Sequence, residues 1–453
     1  MMIELVLLTS SITLFLYIAN EFRSYYLTTP IKVFAKTTCP LYEKLEPGEE
    51  AQRRASNKKN SKIQFILRRD FVPTFWAFNG HLQTWLKTLL SFQESPRIAY
   101  SREYLQMEDN GIVSLDWVSM VDSETSSSSQ GGGGAKIPGA GPRRRSLKKK
   151  SILVKERPVL LIIPNALNAN VKDYTDLCVM AINKGFKPIF FNRRGYSRTI
   201  LSTSKVTTYN DPSDLRETLK YLNALFPFVG GVFAVAFSME SGNLISYLGS
   251  EGDESLIAGA VCVSATFGCE SQLEEHAIQQ PYNVIITEKI KTMFQSNAPS
   301  SPYEMFHSSE DETKLFDNEA VQKCHTMAAL QNEIHARCND YKTLQDYLNY
   351  NNPLTHLRRI QVPVLFIHSN DDPIVPEAAV PYEFFGITDW CILLTTEQGG
   401  HCGFFEGGLT PSSWADKQAV DFLKFIRKKW KKSQPSNNNN FYPGPRARSM
   451  TVL

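Results

Sequence analysis

Six short stretches of the chain are apolar at nearly every position before ending in polar residues: PVLLIIPN (158–165), KPIFFNRRG (187–195), VFAVAF (232–237), AGAVCVSA (258–265), PVLFIHSNDDP (363–373) and CILLTTEQGGH (391–401). A strand that is apolar on both faces must be covered on both faces, which is the condition of a parallel sheet flanked by helices. Segments with helical spacing fall between these runs. DPSDLRETLKYLNALF, for example, opens on Asp211 or Ser213 as N-cap and carries Leu215, Leu219 and Leu222 along one face. Strand, helix, strand in repetition predicts an α/β architecture, a doubly wound and mostly parallel sheet. At 453 residues, 42% hydrophobic and with 27 Phe, the chain has enough material for one large core.

Composition shifts predict the rest of the organisation. Leu5 to Ala19 is uncharged and apolar, but fifteen residues at about 1.5 Å each fall short of a hydrocarbon core of about 30 Å unless the flanks are drawn in. A membrane anchor over residues 1–22 is the favoured reading, against an interfacial helix or a cleaved signal peptide; Tyr17 stands where a cleavage site wants a small residue. Arg23, Lys32 and Lys36 follow the run and favour a cytosolic main domain. Residues 23–63 read as a polar, basic linker and 64–432 as the main domain. Within that domain, 122–156 is a Ser/Gly-rich, then basic, insertion that cannot bury enough surface to order itself. The interval 268–352 breaks the strand–helix rhythm and reads as an inserted helical cap, and 433–453 as a disordered tail.

A net charge of +3 demands neither nucleic acid nor an acidic substrate. The basic run Arg143 to Lys150 has no aromatic or base-reading motif beside it, so a nucleic-acid role is excluded in favour of a solvated loop, a contact with anionic headgroups or a modification site at Ser146. Eight cysteines without a C-x-x-C pair speak for reduced thiols rather than a disulfide framework or a zinc site.

In an open parallel sheet the reacting groups gather beyond the carboxyl ends of the strands. Those ends are Asn165, Arg193, Ser238, Asp371 or Asp372, and His401. The titratable ones run Ser, Asp, His, and a serine nucleophile needs a base whose tautomer is held by an acid. Taken singly, Ser238 reads equally as a helix N-cap and Asp372 as the cap of a loop turned by Pro373. His401, between Gly399, Gly400 and Gly403, lies in a loop in which a core histidine would have no use for the glycines. Of the two aspartates, Asp372 directly precedes the P-I-V-P turn and is preferred, with Asp371 as the alternative.

FWAFNGHLQT (75–84), FNRRGYS, the DDP turn and GGHCGFFEG resemble the α/β-hydrolase domain-containing proteins of the hydrolase-4 group, related to membrane-anchored lipases and esterases. The resemblance spans about 70–430 and implies the α/β-hydrolase fold, with Ser238 as nucleophile, Asp372 as acid and His401 as base. It implies hydrolysis of acylglycerols, phospholipids or simple esters through an acyl-enzyme, needing no metal or organic cofactor. A lipid ester substrate and a membrane surface are then the expected partners; the sequence is silent on oligomeric state. His81, in the GHLQT motif, is expected to make structural hydrogen bonds.

Two departures bear on rate. The family's G-x-S-x-G turn here holds Ala236, Ser238 and Glu240, and a carboxylate two residues after the nucleophile either points to solvent or opposes a growing oxyanion. The oxyanion loop PNALNAN lacks glycine; its donors are expected to be the backbone N–H of Met239 and one near Ala166, with the side-chain amides of Asn165 or Asn168 as substitutes. The competing expectation is therefore a catalytically impaired relative that binds or scaffolds partners in lipid metabolism.

Overall fold

The computed structural model describes residues 31–36, 39, 70–90, 97–121, 157–165, 170–225 except 204 and 209, 231–268, 278–297, and 318–433 except 338 and 340. The expected anchor, the insertion 122–156, Ala166 and Asn168 lie outside the described residues, as does the expected tail apart from its first residue. The strands are β1 (Lys32–Phe34), β2 (Ile98–Gln106), β3 (Ile112–Met120), β4 (Val159–Ile163), β5 (Lys187–Asn192), β6 (Val232–Phe237), β7 (Ile257–Val263), β8 (Val364–Ser369) and β9 (Cys391–Thr396). They form one sheet in the order β1-β9-β8-β7-β6-β4-β5-β3-β2. The stretch from β9 to β5 is parallel throughout, while β1, β3 and β2 are antiparallel additions at its edges.

Each central strand is buried at every position, and its alternate residues enter different cores. Leu160, Ile162, Phe233, Val235, Val261 and Leu365 meet one helical layer, built from α2 (Thr175–Asn183) and the long C-terminal helix Trp414–Ser433. Leu161, Ile163, Ala234, Ala236, Ala260 and Phe366 meet the other, which includes α3 (Ser213–Leu225) and α4 (Glu240–Glu251). This two-sided coverage is why the strands read as continuous apolar runs rather than alternating ones. Helix α3 begins as expected, with Asp211 accepting from the Ser213 N–H at 2.9 Å.

One boundary needs correction. The segment read as a linker, 23–63, contributes β1, whose three residues pair with β9; Lys32 adds an exposed ion pair to Glu397. Three residues carry too little periodicity to announce an edge strand, since their partner supplies the hydrogen bonds.

Between Gly268 and Asn352 the described residues are helical: α5 (Tyr282–Asn297), α6 (Asn318–Gln322), α7 (Met327–Gln331), a wide turn over Asn332–Ala336, and α8 (Leu344–Tyr350). The apolar sides of α5, α6, α7 and the wide turn form a third core with Tyr196, Leu201, Ile374 and Val375, against which Met239 packs, while α8 sets Tyr347 and Leu348 against Ala336 in a smaller cluster. Lys291, buried, ties α5 to the chain below α6 by donating to the carbonyls of Gln322 (3.0 Å) and Cys324 (2.9 Å). Among the described residues no helix is long and apolar enough to cross a membrane.

Candidate active site

Ser238 follows β6 at φ +56°, a left-handed conformation that costs a non-glycine residue energy and that persists only where the surroundings enforce it. The enforcement is visible on both sides: the Ser238 N–H donates to Val263 O on the neighbouring strand at 2.9 Å, and the Ser241 N–H returns to Ser238 O at 3.0 Å. Ser238 is not a helix cap. The cap position of α4 is Met239, without a side-chain cap bond, and Ser238 Oγ lies 2.7 Å from His401 Nε2. On its far side His401 Nδ1 lies 2.8 Å and 3.1 Å from the two carboxylate oxygens of Asp372.

All three side chains are buried. Asp372 Oδ1 also accepts from the N–H groups of Ile374 (2.8 Å) and Val375 (2.9 Å), so the P-I-V-P turn clamps the carboxylate. Burial works against the Asp372 charge, but His401 and these donors outweigh it and hold the carboxyl below its usual range. Burial likewise works against a charge on His401, yet the Asp372 carboxylate raises the imidazole well above its ordinary value.

Asp371 has a different task. Its Oδ1 accepts from the Gly400 N–H (2.9 Å) and Ser369 Oγ (2.5 Å), tethering the histidine loop to the end of β8. That loop lies against α1 (Gly80–Leu90), the helix carrying the GHLQT motif: Thr84 Oγ1 accepts from the His401 N–H at 2.9 Å, and Gln83 Oε1 accepts from the Phe405 N–H at 2.6 Å. A Cβ on Gly400 (φ +59°) would come 2.2 Å from Gly80 O, and one on Gly80 would come 2.0 Å from Asp371 O. These glycines let three loops meet behind the imidazole. His81 hydrogen-bonds and stacks with Tyr282, ring nitrogen to hydroxyl 3.0 Å, consistent with the structural role expected for it.

The oxyanion side is described in part. The Ser241 and Gly242 N–H groups are taken by Ser238 O and Met239 O, whereas among the described residues the N–H groups of Met239 and Glu240, at the start of α4 beside Ser238, meet no backbone acceptor. Asn165, at the end of β4, donates its N–H to the buried hydroxyl of Tyr174 (2.9 Å), so that donor is committed to the scaffold.

Of the two alternatives open for the Glu240 carboxylate, the one that points to solvent does not hold. The carboxylate is buried, its Oε1 is 3.1 Å from Arg193 Nε, and burial raises its pKa against the pull of that guanidinium. Arg193 had signalled itself only as the residue ending β5, with nothing in the linear pattern to indicate its partner. Thr84 and Ser264, whose Oγ accepts from the Cys402 N–H at 2.9 Å, are further supports that sequence reasoning missed. The Ser238–His401–Asp372 arrangement can pass a proton from a hydroxyl to an imidazole whose other nitrogen is held by a carboxylate.

No protein-family model matches the chain. It is 29% identical over 359 residues to human Protein ABHD15, covering 78% of this chain and 68% of that protein. It is 24% identical over 346 residues to human Phospholipase ABHD3 (76% and 75% covered) and 23% identical over 383 residues to Monoacylglycerol lipase ABHD2 of Danio rerio (82% and 83%). Among solved structures, a Pyrobaculum calidifontis esterase aligns at a TM-score of 0.42 and 11% identity over 86% of this chain and 99% of that one.

Proposed function

As the chain belongs to the α/β-hydrolase domain family, we propose that it is a serine hydrolase of lipid carboxylic esters, acting through Ser238, His401 and Asp372. The observation that carries this reading is the unbroken run from Ser238 Oγ to His401 (2.7 Å) to Asp372 (2.8 Å), with the serine in a strained turn. Ser238 Oγ attacks the acyl carbonyl while its proton passes to His401 Nε2; the Met239 N–H receives the oxyanion. His401 then returns the proton to the departing alcohol. A water molecule, deprotonated by the same imidazole, cleaves the acyl-enzyme and restores Ser238. Asp372 fixes the tautomer and stabilises the imidazolium. No step uses a metal or an organic cofactor.

A lipid substrate suits what surrounds the site. Trp76, Phe78, Leu82 and Trp85 are between 37% and 48% exposed on the segment that supports the His401 loop; the two amphipathic indoles favour a lipid–water interface, and Phe78 and Leu82 add apolar surface beside them. With the apolar run Leu5 to Ala19, this supports a protein held at a membrane by a single N-terminal anchor and drawing its ester from that surface. Relatives named phospholipase and monoacylglycerol lipase support an acylglycerol or a phospholipid as that ester.

The test is a fluorophosphonate probe applied to the purified protein: labelling of wild type that is lost in Ser238→Ala supports the proposal, and no labelling under conditions that label an active relative rejects it. Glu240 favours the second reading, a non-catalytic binding relative, because a buried carboxylate stands where the turn ordinarily has glycine. Loss of the cellular role on replacing Ser238 alone would count against that second reading.

A further inference from the structure

Glu240 is the first residue of α4, and its carboxylate is withdrawn from solvent, at 3% exposure. The Arg193 guanidinium facing it at 3.1 Å is itself only 2% exposed, and Glu240 Oε2 has no hydrogen-bond partner among the described residues. Arg193 is fixed on its other sides. Its Cζ lies 4.2 Å over the Tyr196 ring, and Nη1 donates to Thr208 O at 2.9 Å. These contacts continue into the helical layer over the site: Tyr196 meets Phe294 of α5 edge-on, Thr208 Oγ1 donates to Asn351 Oδ1 (2.6 Å), and Asn339 donates to Val206 O (2.9 Å). Glu240 is thus held by Arg193, and Arg193 by groups that do not belong to the turn.

Two charges removed from water depend on each other: deleting one strands the other, whereas replacing both does not. A stranded Glu240 carboxylate would sit at the positive end of α4, where the nearest unsatisfied donors are the N–H groups that precede and begin the helix. One of these, on Met239, is the donor that an oxyanion on the Ser238 adduct would use.

We propose that Arg193 is a positioning residue for Ser238: it holds the Glu240 carboxylate away from the start of α4, so that the Met239 N–H stays open to an oxyanion and the turn keeps its shape. This rests on the serine-hydrolase reading above. It also gives Glu240 a reason to be tolerated, since the charge that would oppose the oxyanion is neutralised from the neighbouring strand end.

The experiment compares full-length wild type, Ser238→Ala, Arg193→Met, Glu240→Gln and the Arg193→Met/Glu240→Gln double variant by rate of fluorophosphonate labelling across pH, with melting temperature alongside. Labelling of wild type that vanishes in Ser238→Ala establishes the underlying reading first; an unlabelled wild type overturns both. In a labelled protein, Arg193→Met should slow labelling about 100-fold, the scale of one lost oxyanion donor, and the double variant should recover to within about threefold of wild type. The Arg193→Met rate relative to wild type should fall further as pH rises and Glu240 loses its proton, an effect that a purely structural role would not produce. If Arg193→Met does not fold, Arg193→Lys, which keeps the charge, should fold and label within about tenfold of wild type, because a lysine lacks the planar fork but still neutralises Glu240. Wild-type labelling in folded Arg193→Met, a flat pH ratio, a double variant no faster than the single one, or an Arg193→Lys that folds yet labels as slowly as Ser238→Ala overturns the role of Arg193 alone.

Discussion

Two buried acid–base pairs flank Ser238, and they are built differently. Asp372 has His401 on one side and the Ile374 and Val375 N–H groups on the other, so both its charge and its lone pairs are answered. Glu240 has the Arg193 charge at 3.1 Å but an Oε2 with no hydrogen-bond partner among the described residues. The first pair is organised around a reacting atom, with an imidazole placed to take up and return a proton. The second sets a guanidinium against a carboxylate whose pKa burial raises, and it does not contact Ser238 Oγ. The contrast teaches that burial of an ion pair beside a nucleophile does not by itself imply chemistry; what matters is whether the pair ends on the reacting atom.

Experiments that break the first pair should have the largest effects. Ser238→Ala is expected to lower kcat for a lipid ester by about 10⁶-fold, read in a steady-state assay with melting temperature unchanged. Asp372→Asn, which leaves the imidazole without its acid, should cost about 10⁴-fold in kcat. The neighbouring Asp371→Asn should cost far less, about tenfold, through slackening of the His401 loop as one hydrogen bond weakens, and should show mainly as a lower melting temperature. Equal losses at the two aspartates would erase the distinction drawn between them.

The second pair should answer in stability. Arg193→Met, read by urea denaturation, is expected to cost about 3–5 kcal/mol because it strands a buried carboxylate, and Arg193→Met/Glu240→Leu should cost much less than the sum of the two single changes. The pH dependence separates the pairs again. His401 must be neutral to accept the Ser238 proton, so kcat/KM should fall as pH falls through its folded pKa. The Asp372 charge raises that value well above the ordinary imidazole range, so the acid limb should lie above about pH 6.5 and move to lower pH in whatever activity Asp372→Asn retains. The smallest expected effect lies outside both pairs. Trp76→Ala or Trp85→Ala should weaken binding to phospholipid vesicles about fivefold each, near 1 kcal/mol of lost apolar contact, while leaving hydrolysis of a soluble short-chain ester unchanged.

Much of this molecule could be read along the chain. The six apolar runs determined a two-sided parallel sheet, because a strand covered on both faces has no polar face to display. The order Ser238, Asp372, His401 at three strand ends determined which side chains could meet, because a parallel sheet delivers all its carboxyl ends to one edge. Tertiary structure decided the remainder. It assigned Asp372 to His401 and Asp371 to Gly400, a difference of side-chain direction at adjacent positions that the DDP turn sets in space. It added β1 at the far edge of the sheet, where three residues borrow their order from β9. And it turned Glu240, which along the chain is only a carboxylate in the wrong place, into half of an ion pair. Its other half, Arg193, ends a different strand, and a charge taken out of water is compensated by what the fold brings near it, not by what precedes or follows it in sequence.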